Sequence, residues 1–289
     1  MKAMKYFMAA AMAIAFAACD NENEIGNEVY TPDEGEIQLV MVHPHQTRVT
    51  ETSFESSDSI SVYVTANDAA LQLAGNEVNN ELFTYNGTSW TSGRKVYWNA
   101  GYHNVYAFYP YSKAVNDVVD YEFSVQTDQS TDWGYTHSDF LFASALDVTA
   151  SANPVSMQFA HKMSNVIVNL EKGENFEGVI PANAEVYLLS TVPQAVIDLS
   201  TGDAAKDNYG AEAAIRCRQV SNTQYQAIVV PQSLTSRRPL VEVVIGDVSY
   251  LMEGKISYRP GMRHSISVTL DQNPEQIKIE IGGSIEGWN

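Results

Sequence analysis

Six histidines are the first candidates for chemistry in this sequence. His43 and His45 flank Pro44, but two imidazoles there complete a tetrahedral metal site only if two more ligands arrive from elsewhere. We therefore predict no metal site and interpret both histidines as solvated residues at a strand end. His161 follows an apolar stretch and precedes Lys162, which favours a structural role.

Cys217 and the paired carboxylates are the remaining candidates for catalysis. Cys217 lies between two arginines, which could lower its pKa, yet a single thiol without an evident base is more often passive. Asp117 and Asp120 could serve a glycosidase, but the chain holds 35 acidic residues and such pairs carry little information. A nucleophile elbow, a zinc-protease helix and a glycine-rich phosphate loop are all absent from the sequence. We predict no catalytic residue and no cofactor, and hence no enzyme.

The chemistry that the sequence does indicate is at Cys19. Lys2 and Lys5 form a positive start, and the apolar run after them is shorter than the roughly 20 residues that span a bilayer. Residues 16–19, Phe-Ala-Ala-Cys, resemble a bacterial lipobox, in which the cysteine is acylated and becomes the new N-terminus. We predict a signal peptide over residues 1–18 and lipidation, such as palmitoylation, at Cys19. The alternative is an ordinary signal peptide with an incidental cysteine.

The predicted export and the net charge limit the folds and partners that the rest of the chain can have. With Cys19 lipidated, Cys217 is alone, so the body has to hold its fold by core burial without a disulfide. We expect a body anchored to a membrane by lipid, because no second apolar run approaches membrane length. Residues 19–36 are polar and acidic and are predicted to form a tether, whose start fits either a surface-export signal or a solvated linker. The net charge of −18 disfavours nucleic acid as a partner.

The elements that carry these residues are predicted to be strands. Short stretches with period-two alternation, rich in β-branched and aromatic residues, recur between turn residues, and helical periodicity is scarce. We therefore predict an all-β fold of the sandwich type, with a first domain over residues 37–152 and a second over 153–289. The alternating sets are Ile37, Leu39 and Met41; Ile60, Val62 and Val64; Val155, Met157 and Phe159; Val166 and Val168; Val241, Val243 and Ile245; Ile266, Val268 and Leu270; and Ile277, Ile279 and Ile281.

An aromatic cluster at residues 97–98 and 106–111 has two interpretations. Interleaved aromatic side chains can stack on sugars, and they also fill the core between two packed sheets. We favour the core.

Several segments, in order along the mature chain, resemble the fimbrillin family of lipoprotein pilins, the subunits of type V fimbriae. No single segment is specific for this family, but the occurrence of all of them in this order behind a lipobox is. The segments are Arg48-Val-Thr-Glu-Thr-Ser-Phe54, Asp58-Ser-Ile-Ser-Val-Tyr63, Val96-Tyr-Trp98, Tyr106-Ala-Phe-Tyr-Pro-Tyr111, Ser138-Asp-Phe-Leu-Phe-Ala143, Val155-Ser-Met-Gln-Phe-Ala-His-Lys162 and Ile285-Glu-Gly-Trp288.

The resemblance implies a fold and an assembly mechanism. Members of the family have two tandem transthyretin-like β-sandwich domains and reach the outer-membrane surface as lipoproteins. A trypsin-like protease then cuts after an arginine near the start of the first domain, and a strand from a neighbouring subunit fills the groove that the released strand leaves. Arg48, the first basic residue after the signal, fits that cut, between Arg48 and Val49. The alternative for Arg48 is an ordinary solvated loop arginine.

The end of the chain supplies the candidate donor strand, Ile277, Ile279, Ile281 and Ile285, with Trp288 as a terminal anchor. The alternative is that these residues form the last strand of the second domain. The predicted function is a structural subunit of a surface fimbria, with other pilin subunits as partners and surface ligands of a host or of other bacteria as further candidates. The rivals are a tip, anchor or stand-alone lipoprotein adhesin that binds glycan or host protein, and a surface hydrolase with two facing carboxylates.

Overall fold

Strands account for almost all regular structure in the computed structural model, which describes residues 33–44, 53–271, 278–281 and 286–288. The all-β prediction is confirmed over these residues, whose one helix, α1 (Asp132–Thr136), is short. No helix among them is long and apolar enough to cross a membrane. The strands are β1 (Leu39–Val42), β2 (Ser59–Ala66), β3 (Val78–Tyr85), β4 (Trp90–Ser92), β5 (Tyr102–Tyr109), β6 (Tyr121–Ser124), β7 (Leu141–Thr149), β8 (Val155–Gln158), β9 (Ala160–His161), β10 (Ser164–Lys172), β11 (Glu185–Thr191), β12 (Gln194–Asp198), β13 (Asp203–Lys206), β14 (Ala213–Arg216), β15 (Arg218–Ser221), β16 (Gln224–Val229), β17 (Gln232–Ile245), β18 (Val248–Tyr258), β19 (Met262–Leu270), β20 (Lys278–Ile281) and β21 (Glu286–Gly287).

The first large sheet has the antiparallel order β4-β3-β2-β5-β7-β9 and lies between two apolar cores. The alternating residues of β2, such as Ile60 and Val62, face a smaller core that also contains β1. Tyr63 and Phe108, on the opposite face, join the larger core. The central strands β2 and β5 are therefore buried on both faces, and β-branched and aromatic residues occupy five of the eight positions in each.

The later strands form three sheets around the larger core. Their orders are β15-β16-β10-β19-β20, with β21 also on β19; β14-β11-β17-β18; and β13-β12-β6. The alternation predicted at Val166, Val243 and Ile266 is confirmed, since all three side chains are fully buried. Strands β10 and β19 pair in parallel through the middle of their sheet, and the other pairs in that sheet are antiparallel.

Strands that precede residue 153 pair with strands that follow it. Strand β6 pairs with β12, while β8 and β9 return to pair with β1 and β7. The two apolar cores are thus each built from both halves of the chain. The domain boundary at residues 152 and 153 stays a prediction.

The short helix α1 is an element that sequence reasoning missed. The Thr131 hydroxyl caps it by accepting the N–H of Gly134 at 3.1 Å. At Gly134 a Cβ would lie 2.1 Å from the carbonyl oxygen of Asp128, so glycine is needed for the helix to pack this closely. A five-residue helix is too short to show the 3.6-residue period.

Candidate functional site

The first strand, β1, occupies an apolar slot. Ile37, Leu39 and Met41 are buried in the smaller core, whereas Val40 between them is 50% exposed. This alternation is the one that the sequence predicts, and it makes β1 half core and half surface.

Strand β1 is held by backbone hydrogen bonds to β8, with which it pairs in parallel as a sheet of its own. The N–H of Val155 donates to the carbonyl of Gln38, and the N–H of Phe159 donates to that of Val42, both at 2.9 Å. On the other side, the N–H of Ile37 donates to Val96 at 2.8 Å. The ladder spans four residue pairs on one side of β1, and the buried side chains of the strand join the smaller core.

Polar side chains fasten the chain just before β1. The ammonium of Lys95 contacts the carboxylates of Asp33 at 2.7 Å and Glu36 at 3.6 Å, and the hydroxyl of Tyr97 donates to Asp33 at 2.8 Å. Hydrogen bonds from Lys95 and Tyr97 hold the pKa of Asp33 below its usual value. This ion pair is largely exposed and therefore contributes little to stability.

The environment of His43, just after β1, differs from the prediction that His43 is a solvated strand-end residue. The His43 ring packs edge-on against Phe54, with centroids 4.8 Å apart, and lies 6.1 Å from the ring of His161. Burial lowers the pKa of His43 because the charged imidazole is poorly solvated there. The neighbouring apolar residues, which the local sequence did not reveal, cause the difference.

Several predicted site residues lie outside the described residues. The described chain stops at Pro44 and resumes at Ser53, so Arg48 and Val49 belong to the stretch between them. Cys19, the predicted lipidation site, also lies outside. Of the predicted donor residues, Ile277 and Ile285 lie outside as well.

The described part of the C-terminal segment is docked on the chain's own body. Strand β20 pairs antiparallel with β19, where Ile281 lies opposite Ile266. Ile279 and Ile281 pack against the larger core. Gly254 makes room for this contact, because a Cβ there would lie 2.2 Å from the Cδ1 atom of Ile281. These residues act here as a sheet edge of the body.

Trp288 is the anchor of this docked segment. Its side chain is only 1% exposed, and its backbone N–H donates to the carbonyl of Gly261 at 2.8 Å. The indole stacks on the His161 ring with a centroid distance of 3.8 Å and an interplanar angle of 7°. His161 is in turn held through Nδ1, 2.9 Å from the carboxylate of Asp139. The structural role predicted for His161 is confirmed.

The other candidates for catalysis have structural surroundings. Burial raises the pKa of Cys217, so the lowering that its neighbouring arginines could have caused does not occur. The arginines point to other partners, since Arg216 pairs with Glu185 and Arg218 with Asp132, both at 2.5 Å.

The carboxylate pair Asp117 and Asp120 forms a turn. The Asp117 side chain accepts the N–H of Val119 at 2.8 Å and that of Asp120 at 3.1 Å. These bonds lower the pKa of Asp117, which is the opposite of what a general acid needs. Among the described residues, no three His, Cys, Asp or Glu side chains converge as a metal site.

The predicted aromatic cluster divides between core and surface. Tyr106 and Phe108 are buried, as the core interpretation requires, and Tyr97 is 46% exposed. Tyr109, at the end of the cluster, lines a cleft on the surface.

That cleft, which we call the Trp133 cleft, was not found by sequence reasoning. It encloses about 470 Å³, and its lining includes His43, Phe54, Asp58, Trp133, His137 and Arg218. Trp133 is 60% exposed and stacks on His137 with ring centroids 4.4 Å apart. The Thr131-Asp132 pair could have signalled a helix start, but no local pattern reveals that the following tryptophan is exposed.

The same fold occurs in cell adhesion proteins of known structure. A Bacteroides ovatus cell adhesion protein aligns with a TM-score of 0.72 at 21% identity, over 89% of this chain and 99% of that one. A second cell adhesion protein, from Bacteroides uniformis, aligns with a TM-score of 0.67 at 19% identity, over 88% of this chain and 100% of that one.

Sequence comparison gives the family. The profile of the fimbrillin-like family matches residues 47–288, and the chain belongs to that family. It is also 26% identical to a Bacteroides ovatus protein named as fimbrium tip subunit Fim1C, over 72% of this chain and 45% of that protein. The chain thus spans about half the length of this curated relative. The resemblance to fimbrillins is confirmed.

Proposed function

We propose that this protein is a subunit of a surface fimbria that is assembled by β-strand exchange. A protease cuts between Arg48 and Val49, strand β1 leaves, and a strand from a neighbouring subunit takes its place beside β8. The observation that carries this proposal is the packing of β1, which fills an apolar slot and pairs in its sheet with β8 alone. The two tandem transthyretin-like domains of the family are part of the same proposal.

The energetics of the slot fit such an exchange. Burying Ile37, Leu39 and Met41 contributes on the order of 5–9 kcal/mol in total, at roughly 1.5–3 kcal/mol for each apolar side chain. A vacated slot would expose the apolar surface that these three side chains cover, together with the edge of β8. A donor strand with alternating apolar residues covers both, because strand addition supplies ladder bonds and side-chain pockets at once.

The position of the predicted cut supports the same proposal. The described chain leaves the end of β1 at Pro44 and resumes at Ser53, so Arg48 lies on the only covalent link between β1 and β2. A single cut there separates β1 from the body and leaves every other described strand uncut. Lipidation at Cys19 places the subunit on the outer membrane before the cut, and the cut removes the lipid together with β1.

Two positions in a fimbria are compatible with this mechanism. In a stalk subunit, the segment with Ile277, Ile279, Ile281 and Ile285 leaves its own body and becomes the donor for the next subunit, with Trp288 as its anchor. In a tip subunit, the segment stays docked and the protein only accepts a donor. The full burial of Trp288 against His161 favours the tip position, and the name of the Bacteroides ovatus relative agrees with it.

The test is the variant Arg48→Ala, with Arg94→Ala as a control that removes an exposed arginine of the described chain. We expect Arg48→Ala to remain at its full length, lipid-bound and absent from fibres, while the control is processed and assembled like the unchanged protein. Normal incorporation of Arg48→Ala into fibres would show that the proposed cut is wrong.

A second experiment separates stalk from tip. The unchanged protein is cut with trypsin in solution, and its polymerisation is followed by size-exclusion chromatography. A stalk subunit forms polymers by itself, since each molecule is both donor and acceptor. A tip subunit stays monomeric and incorporates only an added donor strand. Deleting residues 275–289 should leave a folded acceptor if the segment is a donor, and should destabilise the body if it belongs there.

A further inference from the structure

We propose that the Trp133 cleft is a binding site for an uncharged sugar residue of a surface glycan, with the indole of Trp133 stacking on the sugar ring. This inference does not depend on strand exchange. It assigns a ligand class to a surface whose described lining, apart from His43 just after β1, stays on the body when β1 leaves.

Trp133 is presented by a rigid support. Helix α1 is packed against the backbone at Asp128 through Gly134, where no Cβ fits. The side chain of Gln129 exchanges two hydrogen bonds of 2.7 Å with the backbone of Ile228. The hydroxyl of Ser138 closes the other end of the helix by donating to the carbonyl of Gly134 at 2.7 Å. The exposure of Trp133 is therefore built into the fold.

The exposed indole contributes little to the core. Its 60% exposed side chain contacts His137 and remains open to solvent at the mouth of the cleft. A large aromatic side chain that is left exposed beside a concave surface is a common feature of ligand sites. An indole ring offers a flat apolar face, which matches the face of a pyranose ring that carries only C–H groups.

The other lining groups can hydrogen-bond to hydroxyls. Carboxylates of Glu55, Asp58 and Asp139 accept hydrogen bonds, and the guanidinium of Arg218 donates them. Sugars carry several hydroxyls that serve as both donors and acceptors, so such a mixed lining suits them.

The charge of the lining selects among sugars. Four carboxylates line the cleft, including that of Asp132, and Arg218 already pairs with Asp132 at 2.5 Å. An excess of negative charge repels sialic acids, uronic acids and sulfated sugars. The cleft therefore favours neutral hexoses or deoxyhexoses.

The size of the cleft favours a sugar over a strand. A volume of about 470 Å³ is within the range of small-molecule sites and accommodates one or two sugar residues. A donor strand needs an elongated groove with a free sheet edge, which is the geometry of the β1 slot. A loop of a neighbouring subunit is the competing occupant, and the experiment below distinguishes it.

The test uses the full chain and three methyl glycosides, those of mannose, galactose and fucose, followed by saturation-transfer NMR and tryptophan fluorescence. A glycan array with neutral and sialylated members extends the search. We expect at least one neutral glycoside to bind with a Kd on the order of 1 mM, and sialylated glycans to be excluded. Trp133→Ala should weaken this binding by at least about tenfold, and Trp133→Phe should weaken it less.

The control is Tyr209→Ala, which removes an aromatic side chain that is 98% exposed at a different surface. It should bind like the unchanged protein. Arg48→Ala should also keep its sugar binding while losing assembly, which separates this inference from the proposed strand exchange. Absence of binding by every neutral glycan, or binding that is unchanged in Trp133→Ala, would overturn the proposal. Fibre assembly that fails in Trp133→Ala without any sugar binding would assign the cleft to a subunit contact instead.

Discussion

Leu39→Ala is the change that most directly probes the β1 slot. Leu39 is 7% exposed and packs in the smaller core. The substitution removes three carbon groups, which at about 0.8 kcal/mol for each buried group amounts to about 2.4 kcal/mol. Because β1 pairs with β8 alone in its sheet, the slot can partly close around the smaller side chain. We therefore expect a loss of about 2–3 kcal/mol, at the lower end of the usual range.

The assay has an equilibrium part and a kinetic part. Urea unfolding of the uncut chain measures the loss in the free energy of unfolding. After cleavage between Arg48 and Val49, the same weakening should appear in the release of β1, followed by size-exclusion chromatography and mass spectrometry. At 1.4 kcal/mol for each factor of ten, 2.4 kcal/mol corresponds to release that is roughly 50-fold faster.

Val40→Ala is the matched control on the same strand. Val40 is 50% exposed, so its substitution should change the free energy of unfolding by no more than about 0.5 kcal/mol. If Leu39→Ala costs no more than Val40→Ala, β1 is not held by its apolar face. The reasoning on the slot would then be refuted.

Three further predictions concern other parts of the body. Gly254→Val should displace Ile281, since even a Cβ would lie 2.2 Å from it, and hydrogen exchange of β20 should accelerate. The control Gly93→Ala, where the space is open, should leave that exchange unchanged. Equal exchange in both variants would contradict the contact between Gly254 and Ile281. Cys217 should resist a thiol reagent at about pH 8 in the folded chain and react in urea, because burial raises its pKa; rapid labelling of the folded chain would contradict its burial. His43 has a lowered pKa in the folded chain, so the unfolded chain binds more protons below about pH 6.5 and stability falls there as the pH falls. Urea unfolding at two pH values should show that His43→Phe loses less stability at the lower pH than the unchanged protein does. An equal loss in both proteins would show that His43 is not a cause of it.

Local patterns predicted several of the strands and which side of each of these is buried. Val166, Val243 and Ile266 are examples, because burial on one face leaves a period of two in the sequence. Pairing could not be predicted in the same way. Strand β6 joins β12, and β8 joins β1, through contacts between distant parts of the chain that leave no local pattern.

Only part of the candidate site could be predicted, because the rest depends on contacts between distant parts of the chain. The alternation of β1 and a terminal anchor at Trp288 were visible in the sequence, but whether Trp288 docks on its own body or on a neighbour depends on tertiary packing. His43 was misjudged because its polarity suggested solvent, whereas Phe54 and His161 surround it in the fold. Nothing in the sequence distinguished Trp133 as exposed among four tryptophans.

The parallel pairing of β1 with β8 also bears on the order of folding. Leu39 pairs with Val155, so β1 is synthesised early but cannot pair until most of the first sheet has followed. Closing so long a loop is slow compared with forming the hairpins of that sheet. The β1 slot is therefore expected to be the last part of the smaller core to close, and during that interval it is open to a strand from another molecule.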